Sequence, residues 1–233
     1  MRRRSSELIV KMVTVAILSA LACVLMEFAV FPYPMAPWCT FDFSDTIVLA
    51  AYGLCGFYGA LSVAVIKTLF SLLYKGVGFM FVGQLAALVT SCCYLLGIFF
   101  FAHVLKWFKK GILFRILSYV LIVIFVAIVM TLCNFVFITP TFLAGRWATC
   151  FEKEIVDMIV SNLGNYASSY IGIISIIYLP FNFFKGLMVS AAYEAIFNTL
   201  IFLVIRNNPK LGKYFKNTKK EKIEEVKEVE ENN

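Results

Sequence analysis

The 233-residue chain is 61% hydrophobic and only 15% charged, with a formal charge of +7. That excludes a soluble globular domain, which runs nearer half apolar and about a quarter charged. The length suits one bundle of about six membrane helices of roughly 20 residues each. It leaves no room for a soluble catalytic or ATP-hydrolysing domain, so any energy-coupling domain must belong to another chain.

The chain opens on Arg2-Arg3-Arg4 and an apolar run over 9–31. Basic residues before Ala20-Leu21-Ala22-Cys23 resemble a lipoprotein signal. However, the run continues past Cys23 and the rest of the chain is polytopic, so 9–31 is read as the first span. Ala16-x-x-x-Ala20, with Ser19 and Val13, makes a small-residue face that lets another helix approach closely, although ordinary internal packing would use the same pattern. The adjoining loop, 32–45, holds Pro32, Pro34 and Pro37 among Trp38, Phe41 and Phe43 and reads as stiff and aromatic.

Next come apolar runs over 46–74, 79–105 and 112–139, and one within 170–205. Arg2, Arg3, Arg4 and Lys11, then Lys106, Lys109, Lys110 and Arg115, then eight basic residues from Arg206 onward, should all face the cytoplasm. Three spans cannot join two cytoplasmic segments, so one early run must cross twice. The 46–74 run would be about 43 Å long as a single helix, and Gly53, Gly56 and Gly59 can turn it, dividing it into 46–57 and 58–75. The last run is too long for one span at about 54 Å. Pro180 is taken as its entry, giving a span over 179–205 with 170–178 as a loop or interfacial turn. The segment 140–169 carries Arg146, Glu152, Lys153, Glu154 and Asp157 and has room for a short surface helix. Residues 206–233, with eight basic and six acidic side chains, form a charged cytoplasmic tail. The expected fold is an all-α integral membrane protein, a bundle of six transmembrane helices with both termini cytoplasmic, spanning 9–31, 46–57, 58–75, 79–105, 112–139 and 179–205.

Seven cysteines without C-x-x-C spacing and a single histidine, His103, point to no metal site, and none of the nucleophile-elbow, P-loop or zinc-protease motifs occurs. The informative residues are instead polar groups inside spans. Lys185 lies about 9 Å into the last span, where a charge is costly unless it faces a cavity or partner. Asn182 is on the same face three residues earlier, and Asn134 occupies the outer part of its own span. With Asp42 and Asp45 they make a polar patch beside an aromatic lid, as in an outward-facing small-molecule site. The competing readings are interhelical hydrogen bonds for the asparagines, snorkelling for the lysine, and helix capping for the aspartates. Lys67 and Glu194 fit structural ion pairs.

Four places then resemble a known family, the membrane-embedded substrate-binding subunit, or S component, of an energy-coupling-factor (ECF) vitamin transporter, and within it the riboflavin-specific RibU type. Thr40-Phe41-Asp42-Phe43-Ser44-Asp45-Thr46-Ile47 is similar to the family's aromatic F-D-x-S-D-I loop. Asn134-Phe135-Val136-Phe137-Ile138-Thr139-Pro140 is similar to its N-x-x-x-x-T-P, and Leu179-Pro180-Phe181-Asn182-Phe183-Phe184-Lys185-Gly186 to its L-P-F-N-x-x-K-G. Ala16-x-x-x-Ala20 resembles the face by which S components dock on the transmembrane T component. Val48 stands where the family often has proline, and the 140–169 loop is longer and more charged than usual.

The resemblance implies a non-catalytic protein of a bacterial cell membrane, multi-pass, that binds riboflavin from outside. It would deliver riboflavin inward with the T component and two ATP-binding-cassette ATPases. It implies no resident cofactor and no nucleic acid, with membrane lipid as the remaining partner named by the resemblance. Asn134, Asn182 and Lys185 would hydrogen-bond the isoalloxazine edge, with Phe41, Asp42 and Thr40 closing the site, and Ala16 and Ala20 would form the partner interface. An S component for another vitamin, a stand-alone secondary carrier and a membrane enzyme are the rival readings. A carrier would show mid-membrane coupling carboxylates, for which only Glu194 qualifies, and an enzyme would need a nucleophile with a base.

Overall fold

The computed structural model describes residues 2–75 and 81–199. Its elements in chain order are α1 (Arg2–Phe28), a hairpin of β1 (Val30–Tyr33) and β2 (Ala36–Asp42), α2 (Ser44–Lys75), α3 (Phe81–Phe99), α4 (Ile112–Cys133), α5 (Thr139–Ala144), α6 (Lys153–Leu163) and α7 (Tyr170–Ala192). Three π-helical turns, Phe100–Val104, Asn134–Ile138 and Tyr193–Asn198, extend α3, α4 and α7. Among the described residues, five helical stretches are long and apolar enough to cross a membrane: Leu8–Phe28, Ser44–Lys75, Phe81–Val104, Ile112–Ala144 and Tyr170–Ala195. The protein is accordingly a multi-pass membrane protein, and its exposed leucines, isoleucines and phenylalanines suit lipid contact.

The 46–74 run does turn. Gly56 has φ 80° and ψ −173°, a conformation open to glycine and strained for any residue with a Cβ. The fold-back follows from one contact: Lys67 Nζ lies 2.7 Å from Asp45 Oδ1, although the two are 22 residues apart. In a straight helix they would be separated by about 33 Å, far beyond a lysine's reach. The arms 44–55 and 57–75 therefore lie antiparallel. Val15 Cγ2 is 3.5 Å from where a Cβ on Gly59 would sit, and Glu27 pairs with Lys75 at 3.0 Å, so the second arm runs alongside α1 in the same direction. The turn is level with the middle of α1. The 12-residue first arm is only about 18 Å long, thinner than a bilayer core of about 30 Å.

Two segments differ from the sequence-based expectation. The 32–45 loop is an ordered antiparallel hairpin pairing Val30 with Asp42, Phe31 with Phe41 and Pro32 with Thr40. A two-stranded ribbon has only edges, so its prolines need not interrupt a ladder on both sides. The second is the stretch 170–178, expected as a loop, which is the first part of α7, with Pro180 inside the helix. Ser169 caps it by accepting from Gly172 N, and Ile173, Ile174 and Ile177 are buried. Interior proline costs about 3 kcal/mol. Burying three isoleucines at about 1.5–3 kcal/mol each outweighs that. The 179–205 span thus begins earlier than expected, and its residues 200–205, like the 206–233 tail, lie outside the described residues.

The expected 112–139 run continues through the π turn at Asn134–Ile138 into α5 and stops at Gly145, whose φ is 63°. The 140–169 segment holds α5 and the short helix α6. Three apolar clusters organise the interior. One joins α2, α3, α4 and α7, a second packs α1 on α2, and a third, at the hairpin end, joins Tyr33, Ala36 and Cys39 to α6 and the first half of α7.

Candidate ligand-binding site

The hairpin delivers β2 alongside α7, and polar contacts mark both ends of that approach. Trp38 Nε1 donates to Tyr178 Oη at 3.3 Å, and Lys185 Nζ donates to Asp42 Oδ2 at 2.6 Å. Trp38 and Asp42 are four strand residues apart, about 13 Å, and Tyr178 and Lys185 are seven helical residues apart, about 10.5 Å. The two rows therefore run side by side. Midway along them stand Thr40, which shares the strand face of Trp38 and Asp42 and is exposed, and Asn182, which shares the helical face of Tyr178 and Lys185 and is buried. Tyr166 Oη donates to Met35 O at 2.5 Å, tying the hairpin turn to the segment before α7.

At the Lys185 end a buried polar chain crosses the bundle. Asp42 Oδ1 accepts from Ser44 N at 3.0 Å and from Ser44 Oγ, whose oxygen in turn accepts from Lys67 Nζ at 2.8 Å. Lys67 also reaches Asp45, whose Oδ1 accepts from Ser91 Oγ at 2.6 Å. α7, β2, both arms of α2 and α3 are thereby joined by two lysines and two aspartates whose charges cancel. Burial alone would raise the Asp42 carboxyl, but the ammonium of Lys185, then that of Lys67, together with hydrogen bonds from Lys185 and Ser44, hold it below the ordinary carboxylate range. Asp42 is thus both the cap of α2 and the partner of Lys185. Asp45, expected as a cap, lies inside the first turn and pairs with Lys67 instead.

At the Tyr178 end the two asparagines are fastened. Asn134 Nδ2 donates to Met130 O at 2.8 Å, and its Oδ1 accepts from Thr139 Oγ1 at 3.2 Å. Asn182 Nδ2 donates to Tyr178 O at 2.8 Å. Each amide holds a fixed orientation while keeping hydrogen-bonding capacity beyond these contacts. Phe41 packs on Tyr33 and Phe181 with ring centroids 5.6 and 5.0 Å away, forming an aromatic wall between hairpin and α7.

Of the residues expected at the site, Asp42 and Lys185 meet directly, Phe41 packs on Phe181 beside Asn182, Thr40 is exposed on the strand between Trp38 and Asp42, and Asn134 is held by Met130 O and Thr139. Ala16 and Ala20 lie elsewhere, on an exposed face of α1, while Ser19 between them is buried. Sequence reasoning missed Trp38, Tyr178, Ser44 and Ser91 as members of the network. The signal available for the last two was that Asp45 and Lys67, charges inside apolar runs, require polar neighbours. Glu194 pairs with Arg115 at 3.0 Å and accepts from Tyr119, as a structural charge would. Among the described residues no group of three or more metal-ligating side chains occurs.

Residues 10–205 match the family model described as ECF transporter, substrate-specific component. No curated protein matches the chain. Among solved structures, one titled "Structure and mechanism of the S component of a bacterial ECF transporter" is similar, with a TM-score of 0.59 and 24% identity, covering 83% of this chain and 96% of that one. At that identity the likeness carries the fold.

Proposed function

Because this chain belongs to the family of substrate-specific components of ECF transporters, we propose that its substrate is riboflavin, bound from the outer side between β2 and α7 and delivered across a bacterial cell membrane. The family works as a substrate-binding component, with the T component and ATPases of an ECF module as partners. The observation that carries the riboflavin reading is the stripe Tyr178, Asn182, Lys185 on α7 facing Trp38, Thr40 and Asp42 on β2. Its length of about 10.5 Å suits a fused tricyclic ring, and its middle is polar. A flavin presents carbonyl acceptors and an imide N–H, which two amides and an ammonium satisfy. Lys185 has three donors and places one on Asp42, so the ion pair holds the ammonium in position while its other N–H groups meet the ligand. Phe41, with Tyr33 and Phe181, supplies aromatic cover for a ring face.

Riboflavin is neutral. A phosphorylated flavin whose phosphate had to be enclosed would need further cations, so FMN should bind more weakly. The visible absorption spectrum of protein purified from riboflavin-fed cells tests the reading: flavin bands retained through purification support it. A colourless preparation that takes up another vitamin in a binding panel would reassign the substrate within the family.

In the same reading six spans place both termini in the cytoplasm, α2 contributing two through its fold at Gly56. The exposed Ala16–Ala20 face of α1 then docks on the T component. Ala16→Trp is expected to leave riboflavin affinity within twofold while abolishing co-purification with the T component and uptake, because a bulky ring blocks close helix approach. Normal assembly of that variant would return the two alanines to lipid.

A further inference from the structure

Tyr94, on α3, is 1% exposed and its hydroxyl has no hydrogen-bond partner among the described residues. A buried unpaired hydroxyl is costly, and most in native proteins find a partner. Its surroundings show where that partner would come from. A Cβ on Gly186, the residue after Lys185, would lie 3.1 Å from the hydroxyl oxygen and 2.8 Å from Val123 Cγ1, so the phenol and Val123 share the bare α7 backbone one residue beyond Lys185. Tyr94 follows Ser91 by one helical turn, and Ser91 donates to Asp45. Side chains on a helix lean towards its N-terminal end, which for α3 is the end where Ser91 joins the polar chain. The phenol thus packs against α7 one residue beyond Lys185, on the α3 face whose Ser91 joins the polar chain, with its O–H unpaired among the described residues.

We propose that Tyr94 is a ligand-positioning residue, its hydroxyl donating to a carbonyl or ring-nitrogen acceptor at the deep edge of the bound heterocycle, next to Lys185. The inference rests on the riboflavin reading and adds to it the residue that reads the ring's inner edge. A tyrosine present only to fill the core would be as well served by phenylalanine, since its hydroxyl satisfies nothing in the protein. The cost of burying that hydroxyl is offset once ligand is bound, so the group discriminates for ligands with an acceptor at that point and against isosteres without one.

Tyr94→Phe separates the alternatives, because removing an unpaired buried hydroxyl should leave the ligand-free protein as stable or more so. In detergent-purified protein, riboflavin titrated by flavin fluorescence quenching is expected to bind the variant five- to tenfold more weakly than wild type. The thermal midpoint without ligand should be unchanged or higher, and the visible absorption bands of the bound flavin should shift. Unchanged affinity and an unchanged bound-flavin spectrum would overturn the proposal and leave Tyr94 a core residue. So would weaker binding accompanied by a lowered ligand-free midpoint. Failure of the wild type itself to bind riboflavin would overturn both this inference and the substrate reading, whereas wild-type binding with an indifferent Tyr94→Phe overturns Tyr94 alone.

Discussion

Lys185→Ala is expected to weaken riboflavin binding more than tenfold, and the reason is twofold. The ammonium is the one cation reaching the β2–α7 approach from α7, so its loss removes charge-assisted hydrogen bonds to the ligand, each worth about 1.5–3 kcal/mol. It also leaves Asp42 with Ser44 and the more distant ammonium of Lys67 alone, and breaking a buried pair by removing one partner costs about 3–5 kcal/mol of stability. That upper range is discounted here because both side chains keep about a tenth of their surface exposed. The single variant should therefore be less stable as well as weaker in binding, which makes Asp42→Asn/Lys185→Ala the informative companion. It restores a neutral site, so stability should recover substantially while the affinity loss persists. Wild-type affinity in Lys185→Ala would remove Lys185 from the site.

The pair also carries a pH expectation. The Asp42 carboxyl is held below its ordinary range, so its stabilising contribution is fully present above the unfolded value of about 3.9 and is lost only as pH falls through the lower folded value. Affinity measured from pH 8 to 5 should accordingly be flat with respect to this group.

Lys67→Met should give the largest loss of stability in the chain, about 3–5 kcal/mol, read as a lowered thermal midpoint in detergent. Lys67 is fully buried, and its single ammonium satisfies Asp45 and Ser44 at once, holding the two arms of α2 together across the Gly56 turn. Removing it leaves Asp45 as a buried carboxylate supported only by Ser91. Adding Asp45→Asn to Lys67→Met should recover much of the loss, because the uncompensated charge goes while a polar group remains for Ser91. An unchanged midpoint in the single variant would mean that the α2 hairpin is held by apolar packing alone.

How far each feature is legible in the sequence depends on the physics behind it. The turn in the 46–74 run is legible because parity of the basic clusters demands it and three glycines offer a place for it; Gly56 is the one that takes the positive φ. The short polar motifs locate Asp42, Asn182 and Lys185, since charged and amide groups in apolar runs stand out at any level of structure. Their pairings are not legible. Nothing local in the sequence says that Lys185 meets Asp42, 143 residues away, or that Lys67 meets Asp45. Such partners become visible only once the hairpin and the α2 fold-back bring distant segments together.

The hairpin itself is obscured by its three prolines, which read as loop residues although a two-stranded ribbon tolerates them. Pro180 misleads in the same way: proline marks a helix end when the flanking turn has nothing to bury, and here Ile173, Ile174 and Ile177 carry the helix through it. Tyr94 is unreadable from sequence, because a tyrosine in an apolar run looks like any other core aromatic until its hydroxyl is found without a partner.

The most direct test of the central claim is a titration of the purified full-length protein with riboflavin, monitored by quenching of flavin fluorescence, with FMN titrated in parallel. Saturable one-to-one quenching, tight for riboflavin and weaker for FMN, is the predicted result. Flavin fluorescence that stays unquenched at protein concentrations well above micromolar would contradict riboflavin as the substrate, while leaving the six-span arrangement and the partner face to be tested with another vitamin.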